Sequence, residues 1–235
     1  GPEVSVLSFT DGKTIVPMVS SMDHKRAHDG DEGLNTGGMG TIAPNPFYTP
    51  EIAEECMQKI FLPTIAAMNA EGRTFKGCLY FGLMLTKNGP KVIEYNCRFG
   101  DPETQVVLPL LKTDLLTVMQ AVTNGTLSEI KTEFSDGACA CVVLASDGYP
   151  SSYKTGYPIS FPEDVADDIL FAGAKTNEKG ELVTAGGRVL GVTATAATLR
   201  EAVKKAYEKA GKIHFENEYF RKDIGAKALR SGNAK

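Results

Sequence analysis

The stretch Leu79–Tyr95, LYFGLMLT-KNGP-KVIEY, constrains the fold more than any other. Two apolar runs of strand length are joined by a short turn rich in Asn, Gly and Pro, so they return on each other as antiparallel strands. A second hairpin is read at the start of the chain, VSVLSF and KTIVPMV about a TDG turn. A chain built on such hairpins forms antiparallel sheet, and the helical patterns between them make the expected class α+β.

Ser20–Thr49 is polar and glycine-rich, longer than an ordinary connection, and is expected to be a functional or disordered loop. Thr49 and Pro50 read as N-cap and first residue of a helix running to about Gly72, with Ile52, Cys56 and Ile60 on one face and a kink at Pro63. Asp114–Asn124 reads as a helix stopped by Gly125. From Ala138 onward short strands dominate, and Thr198 with Glu201 forms a capping box for one more helix. The boundary is placed within 126–137, giving units 1–132 and 133–235, and the polar tail from Arg221 is expected to fray at its end.

A length of 235 residues admits one large or two smaller domains, and a net charge of −4 argues against nonspecific nucleic-acid binding. No apolar run approaches the roughly 18 residues of a membrane span, and no signal peptide is visible. The five cysteines lack paired metal-type spacing and read as free thiols in a reducing cytoplasm. A start at Gly-Pro that enters a strand at once is what a fragment or a trimmed chain would show.

Directly after the second hairpin strand comes IEYNCRFGDPETQ. Glu94 and Asn96, one residue apart on a strand, share a face, and a carboxylate with an amide oxygen suits magnesium completed by phosphates and water. Spacing alone slightly favours a solvated strand end. Arg98 would join that face if the strand continued, as a clamp for carboxylate or phosphate. Asp101, Pro102 and Glu103 read as N-cap, first residue and dipole partner of a helix, with a substrate role for Asp101 left open. Asn35–Gly40, NTGGMG, is a candidate anion cradle of main-chain N–H groups, though such turns are common. Asp23–Arg26 reads first as a solvated charged run. The three histidines lack zinc spacing, and Arg188 after a glycine turn is open to either a structural or a functional role.

Taken together, RFGDPETQ (98–105), DHKR to NTGGMG (23–40), MLTKNGPKVIEYN (84–96), GGRVLGVTA (186–194) and FRKDIG (220–225) resemble, in order, the blocks of the phosphoribosylamine–glycine ligases. That resemblance implies the second part of an ATP-grasp lobe, antiparallel sheet with helices, followed by a small β-rich C-terminal domain. It implies ATP and Mg2+ (or Mn2+) as cofactors, glycine and 5-phosphoribosylamine as substrates, and no nucleic-acid or membrane partner. The family's N-terminal part would then lie before Gly1. Carried over by position, Glu94 and Asn96 become metal ligands, and Arg98 and Asp101 catalytic. Glu3, Asn35, Thr36, Gly37, Gly38, Met39, Gly40 and Arg188 become cofactor-binding residues. Two places depart from the wider pattern: Pro2 precedes Glu3, and Gly82 stands where many ATP-grasp enzymes have a further acid. Rival readings are another ATP-grasp carboxylate–amine ligase, which would share the Glu-x-Asn pair but not these combined blocks, and a non-catalytic nucleotide-binding module.

Overall fold

Both hairpins form, and they join in one sheet. The computed structural model describes residues 1–231. Strand β1 (Glu3–Thr10) turns back as β2 (Ile15–Pro17). The segment expected as loop then holds four short strands: β3 (Met22–Asp23), β4 (Arg26–His28), β5 (Glu32–Asn35) and β6 (Gly40–Ala43). The polar texture misled because β6 takes its pairing from a strand about a hundred residues later, which no local pattern reveals.

Helix α1 (Pro50–Cys56) starts as expected, with the Thr49 hydroxyl accepting from Ile52 N–H. It continues into α2 (Leu62–Ala70) through a wider turn over Met57–Phe61, where Leu62 N–H reaches Met57 O. Pro63 has no N–H to give, and this local widening absorbs the irregularity without dividing the helix. The long hairpin follows as β7 (Gly77–Thr86) and β8 (Gly89–Asn96), completing a four-stranded sheet in the order β2-β1-β7-β8. Next come α3 (Thr104–Val107) and α4 (Leu115–Asn124), the latter capped by Asp114 and stopped at left-handed Gly125.

The second half gives β9 (Ala138–Ser146), β10 (Ile169–Phe171), β11 (Ala174–Thr176), β12 (Leu182–Thr184) and β13 (Arg188–Ala196). Helix α5 (Leu199–Ala210), β14 (Glu218–Tyr219) and α6 (Ala226–Arg230) end the described chain. The main sheet runs β10-β13-β9-β6-β3, with β14 also on β9. This six-stranded sheet draws β3 and β6 from before the boundary expected at 126–137, so strand membership crosses that line.

Alternation assigns the cores. Val4, Val6, Leu79 and Phe81 face α1 and α2, whereas Leu7, Phe9, Cys78 and Tyr80 face α3, α4 and the inner side of β9. The other side of β9, through Ala140, Val142 and Leu144, packs on α5. The first sheet thereby shares a hydrophobic core with the inner side of the second. Burial lifts the Cys78 and Cys139 thiols to about 12, which disfavours their thiolate forms; Cys97 alone is exposed.

The tail corrects its polar reading. Arg221 is 1% exposed and Ile224 is buried, while residues 232–235, where fraying was expected, lie outside the described residues. Among the described residues no helix is long and apolar enough to cross a membrane.

Candidate active site

Strand register builds the first part of the site. Glu94 pairs with Gly82 and Asn96 with Tyr80, while Ser5 on β1 also pairs with Gly82 and Glu3 with Met84. Glu3, Ser5, Glu94 and Asn96 therefore line one face of the sheet. A Cβ at Gly82 would stand 2.9 Å from Glu94 Cγ, so the missing acid at this place leaves room for the glutamate. Lys25 reaches onto this face with its Nζ 3.9 Å from Glu3 Oε2 and 3.9 Å from Glu94 Oε1. Asn96 Nδ2 donates to Glu94 Oε1 at 3.3 Å, which leaves Glu94 Oε2 and the Asn96 amide oxygen without protein hydrogen bonds among the described residues.

That donor set has a definite chemistry. Among the described residues no group of three or more His, Cys, Asp or Glu could hold a metal ion. One carboxylate and one amide oxygen fit an octahedral hard cation that takes its remaining ligands from phosphates and water, and not an all-protein cage. Arg98 does not join them. The strand ends at Asn96, the chain bends, and the exposed Arg98 donates from NH1 to Phe99 O at 2.9 Å.

Asp101 is not the N-cap. Helix α3 starts at Thr104, whose N–H donates to Gly100 O, and the Asp101 carboxylate instead accepts from Gln105 Nε2 at 2.8 Å and Arg188 NH1 at 3.1 Å. The same Arg188 nitrogen donates to Gly37 O at 3.0 Å and Asp101 O at 3.1 Å. Gly37 lies flat on the guanidinium; a Cβ there would be 3.0 Å from Cζ. Arg188 thus ties the glycine loop of the first half, the Asp101 turn and strand β13 at one point.

The amide cradle expected at Asn35–Gly40 also needs correction. Thr36 N–H donates to Lys25 O, Gly37 N–H to the Tyr149 hydroxyl, Gly38 N–H to Thr36 Oγ1 and Met39 N–H to His24 O. These donors serve the protein and give the loop its shape. Gly38, at φ 115°, is wedged so closely that a Cβ would meet Pro102 Cδ at 2.4 Å and Asp23 Oδ1 at 2.6 Å. Replacing Arg188 with Ala is expected to speed amide exchange at Gly37–Met39 by about tenfold or more, since charge-assisted bonds to two loop segments vanish. Hydrogen–deuterium exchange reads this directly, and unchanged rates would mean that Tyr149 and Thr36 hold the loop alone.

Beneath this face lies a layer of enclosed polar groups. Glu103, 4% exposed, accepts from Tyr80 OH at 3.0 Å and from Ser5 Oγ at 3.3 Å. Burial and then the Glu103 charge push the Asp23 carboxyl well above its usual range, against the pull of Lys25 and Arg188. His24 is buried between Gly40 O, which accepts from Nδ1, and Gly225 N–H, which donates to Nε2. Asp23 and His24 therefore do not belong to a solvated run. The available signal was the serine at position 5 between the apolar Val4 and Val6; the partners themselves are distant in sequence. Beside this layer opens a cleft of about 440 Å³ lined by Glu3, Asp23, Lys25, Asn35, Lys227 and Arg230, among others.

Comparisons with known proteins agree on one family. The model for the ATP-grasp (A) domain of phosphoribosylglycinamide synthetase matches residues 1–104, and the model for the C domain of the same synthetase matches residues 139–227. The chain belongs to the phosphoribosylglycinamide synthetase family. A phosphoribosylamine–glycine ligase of Halalkalibacterium halodurans is 50% identical over 231 residues, covering 97% of this chain and 53% of its own length. The crystal structure of a phosphoribosylamine–glycine ligase from Thermotoga maritima superposes with TM-score 0.87 at 38% identity, over 95% of this chain and 56% of that one. The biotin carboxylase domain of Hydrogenobacter thermophilus 2-oxoglutarate carboxylase, solved with MgADP and bicarbonate, shares the fold at TM-score 0.60 and 14% identity, over 92% of this chain and 46% of its own. The chain spans about half the length of the curated relatives it matches.

In the synthetase family's terms, Glu3, Glu94, Asn96, Arg98 and Asp101 fall in the ATP-grasp match, whereas Arg188 and Lys227 fall in the C-domain match. The Arg188–Asp101 ion pair is one of the contacts that join the two matched segments, alongside the β6–β9 pairing and the Arg221–Asp31 pair.

Proposed function

We propose that this chain carries the metal-binding part of a ligase that joins glycine to 5-phosphoribosylamine at the expense of ATP, giving glycinamide ribonucleotide, ADP and phosphate. The observation that carries the reading is the sheet face on which Glu3, Glu94 and Asn96 converge with Lys25 between the two carboxylates. The free thiols, four of them buried, fit a reducing cytoplasm as the place of reaction.

Glu94 and Asn96 would hold Mg2+ or Mn2+ together with ATP phosphates, and the bound cation would screen the charge between those phosphates and an incoming carboxylate. Lys25 stands beside that place and neutralises phosphate charge as it shifts. Arg98, with one N–H on Phe99 O, would offer its remaining donors to anionic substrate. Phosphoryl transfer to a glycine carboxylate oxygen gives glycyl phosphate. The amine of phosphoribosylamine then attacks the carbonyl carbon: a C–N bond forms, the C–O bond to phosphate breaks, and the amine proton passes to solvent. Positioning does most of this work, and the Arg188 tie keeps loop 35–40 and the Asp101 turn in fixed relation to the metal face.

In a ligase of the relatives' length carrying this sequence, Glu94→Ala is expected to cut glycine-dependent ADP release by about 100-fold or more while leaving the circular dichroism spectrum unchanged. Retained turnover would refute the metal assignment, and ADP release indifferent to glycine would refute the substrate. The 235-residue chain by itself is expected not to turn over, because the nucleotide's other wall would come from the remaining half of such a ligase.

A further inference from the structure

The 440 Å³ cleft has one rim that the metal reading does not use. That rim is α6, which presents Lys227 and Arg230 three residues apart, hence on one side of the helix. Like charges at this spacing repel unless an anion lies between them. Arg26 NH1 donates only to a backbone carbonyl, Gly33 O, and two other cations of the cleft are engaged by carboxylates: Arg221 is bound to Asp223 and Asp31, and Lys25 lies between Glu3 and Glu94. Lys227 and Arg230, by contrast, have no carboxylate within ion-pair distance among the described residues, and both are exposed. Arg230 uses only its Nε, on Ala226 O, which leaves the terminal nitrogens of the fork open.

We infer that Lys227 and Arg230 form a subsite for a phosphate dianion at the cleft rim, and that the phosphate is that of a sugar monophosphate. A dianion satisfies both cations at once, with the fork of Arg230 matching two phosphate oxygens. Neither Glu94 nor Asn96 lines this cleft, so the phosphate held here is one that needs no metal, unlike a phosphoryl group in transfer. The volume is ample for a ribose bearing one phosphate. The neutral, buried His24 adds no charge to the wall, and the elevated Asp23 carboxyl weakens the opposition to an anion. Under the ligase reading the ligand would be the 5-phosphate of the amine substrate; that identification rests on the reading, while the phosphate subsite does not.

Titration calorimetry on the 235-residue chain tests it, with ribose 5-phosphate, ribose and Mg-ATP as probes. Ribose 5-phosphate is expected to bind, ribose not to bind, and the double variant Lys227→Ala/Arg230→Ala to bind ribose 5-phosphate at least about tenfold more weakly at an unchanged melting temperature. Lys227→Arg should retain the affinity, and higher salt should weaken it. Unaltered ribose 5-phosphate affinity in the double variant overturns the inference. So does absence of any phosphate-dependent binding, or loss of Mg-ATP affinity alone, which would assign these cations to the nucleotide. Glu94→Ala separates the two ideas: it should leave ribose 5-phosphate binding intact, whereas its effect on Mg-ATP bears only on the metal site.

Discussion

Arg221→Met is expected to destabilise the chain by about 3 kcal/mol, the low end of the range for breaking a buried ion pair from one side, because the Asp223 and Asp31 side chains keep 27% and 56% exposure to water. The guanidinium is 1% exposed and is held by four bonds. Nε and NH2 take both oxygens of Asp223 at 2.7 and 2.8 Å, NH2 also takes Asp31 Oδ1 at 3.0 Å, and NH1 takes Arg26 O at 3.1 Å. Met fills the space but leaves the Asp223 carboxylate without its cation. Burial alone would raise Asp223, yet the Arg221 hydrogen bonds, the Gly30 N–H and the Arg221 charge outweigh it and hold the acid at about 2. The folded value is depressed, so this part of the stability is present above the ordinary carboxylate range and is lost as pH falls toward about 2. A thermal midpoint lowered by roughly 10 °C is the expected readout at neutral pH. Addition of Asp223→Asn should recover part of the loss, because the stranded charge is then gone. A shift near zero in the single variant would mean that the β4–β5 ribbon and the tail are joined by other contacts.

Stability should also fall by roughly 3 kcal/mol as pH drops from 6.5 to about 4, through His24. Burial, followed by the nearby Arg221 charge, lowers this imidazole to about 4, against smaller opposing effects of Gly40 O, Asp31 and Asp223. The two hydrogen bonds give the reason in structural terms. Nδ1–H serves Gly40 O, and Nε2 must stay unprotonated to accept Gly225 N–H. In the unfolded chain the same histidine takes its proton near its ordinary value, so acid favours unfolding; the contribution is complete above about 6.5 and gone below about 4. Asp23, elevated in the fold, works in the opposite direction, so the quantity to measure is the difference between the parent chain and His24→Gln. Urea midpoints across pH 4–7 should converge at acid pH and separate toward neutral pH. Equal slopes in the two proteins would refute the assignment.

The elements that were legible in the sequence are those whose partners are close along the chain. The β7–β8 hairpin, the Thr49 and Thr198 caps and the stop at Gly125 all depend on residues within a few positions, and each forms. The site was legible only in part. Glu94 and Asn96 were visible because a strand places alternate side chains on one face, whatever that strand pairs with. Arg98, two residues on, failed the same argument because the strand stops before it. Asp101 failed as a cap because an arginine 87 residues away claims its carboxylate.

The sequence by itself determined that the chain builds antiparallel sheets with capped helices and that one strand places a carboxylate and an amide on the same face. Local hydrogen bonding and side-chain alternation suffice for both. Only the tertiary structure decided that Lys25 lies between Glu3 and Glu94, that Arg188 ties the glycine loop to Asp101, and that the polar tail buries Arg221 beside the β4–β5 ribbon. Those are charged contacts between segments up to about 190 residues apart, and no periodicity encodes them. They exist because burying a charge requires a partner, and only the folded chain determines which partner is within reach.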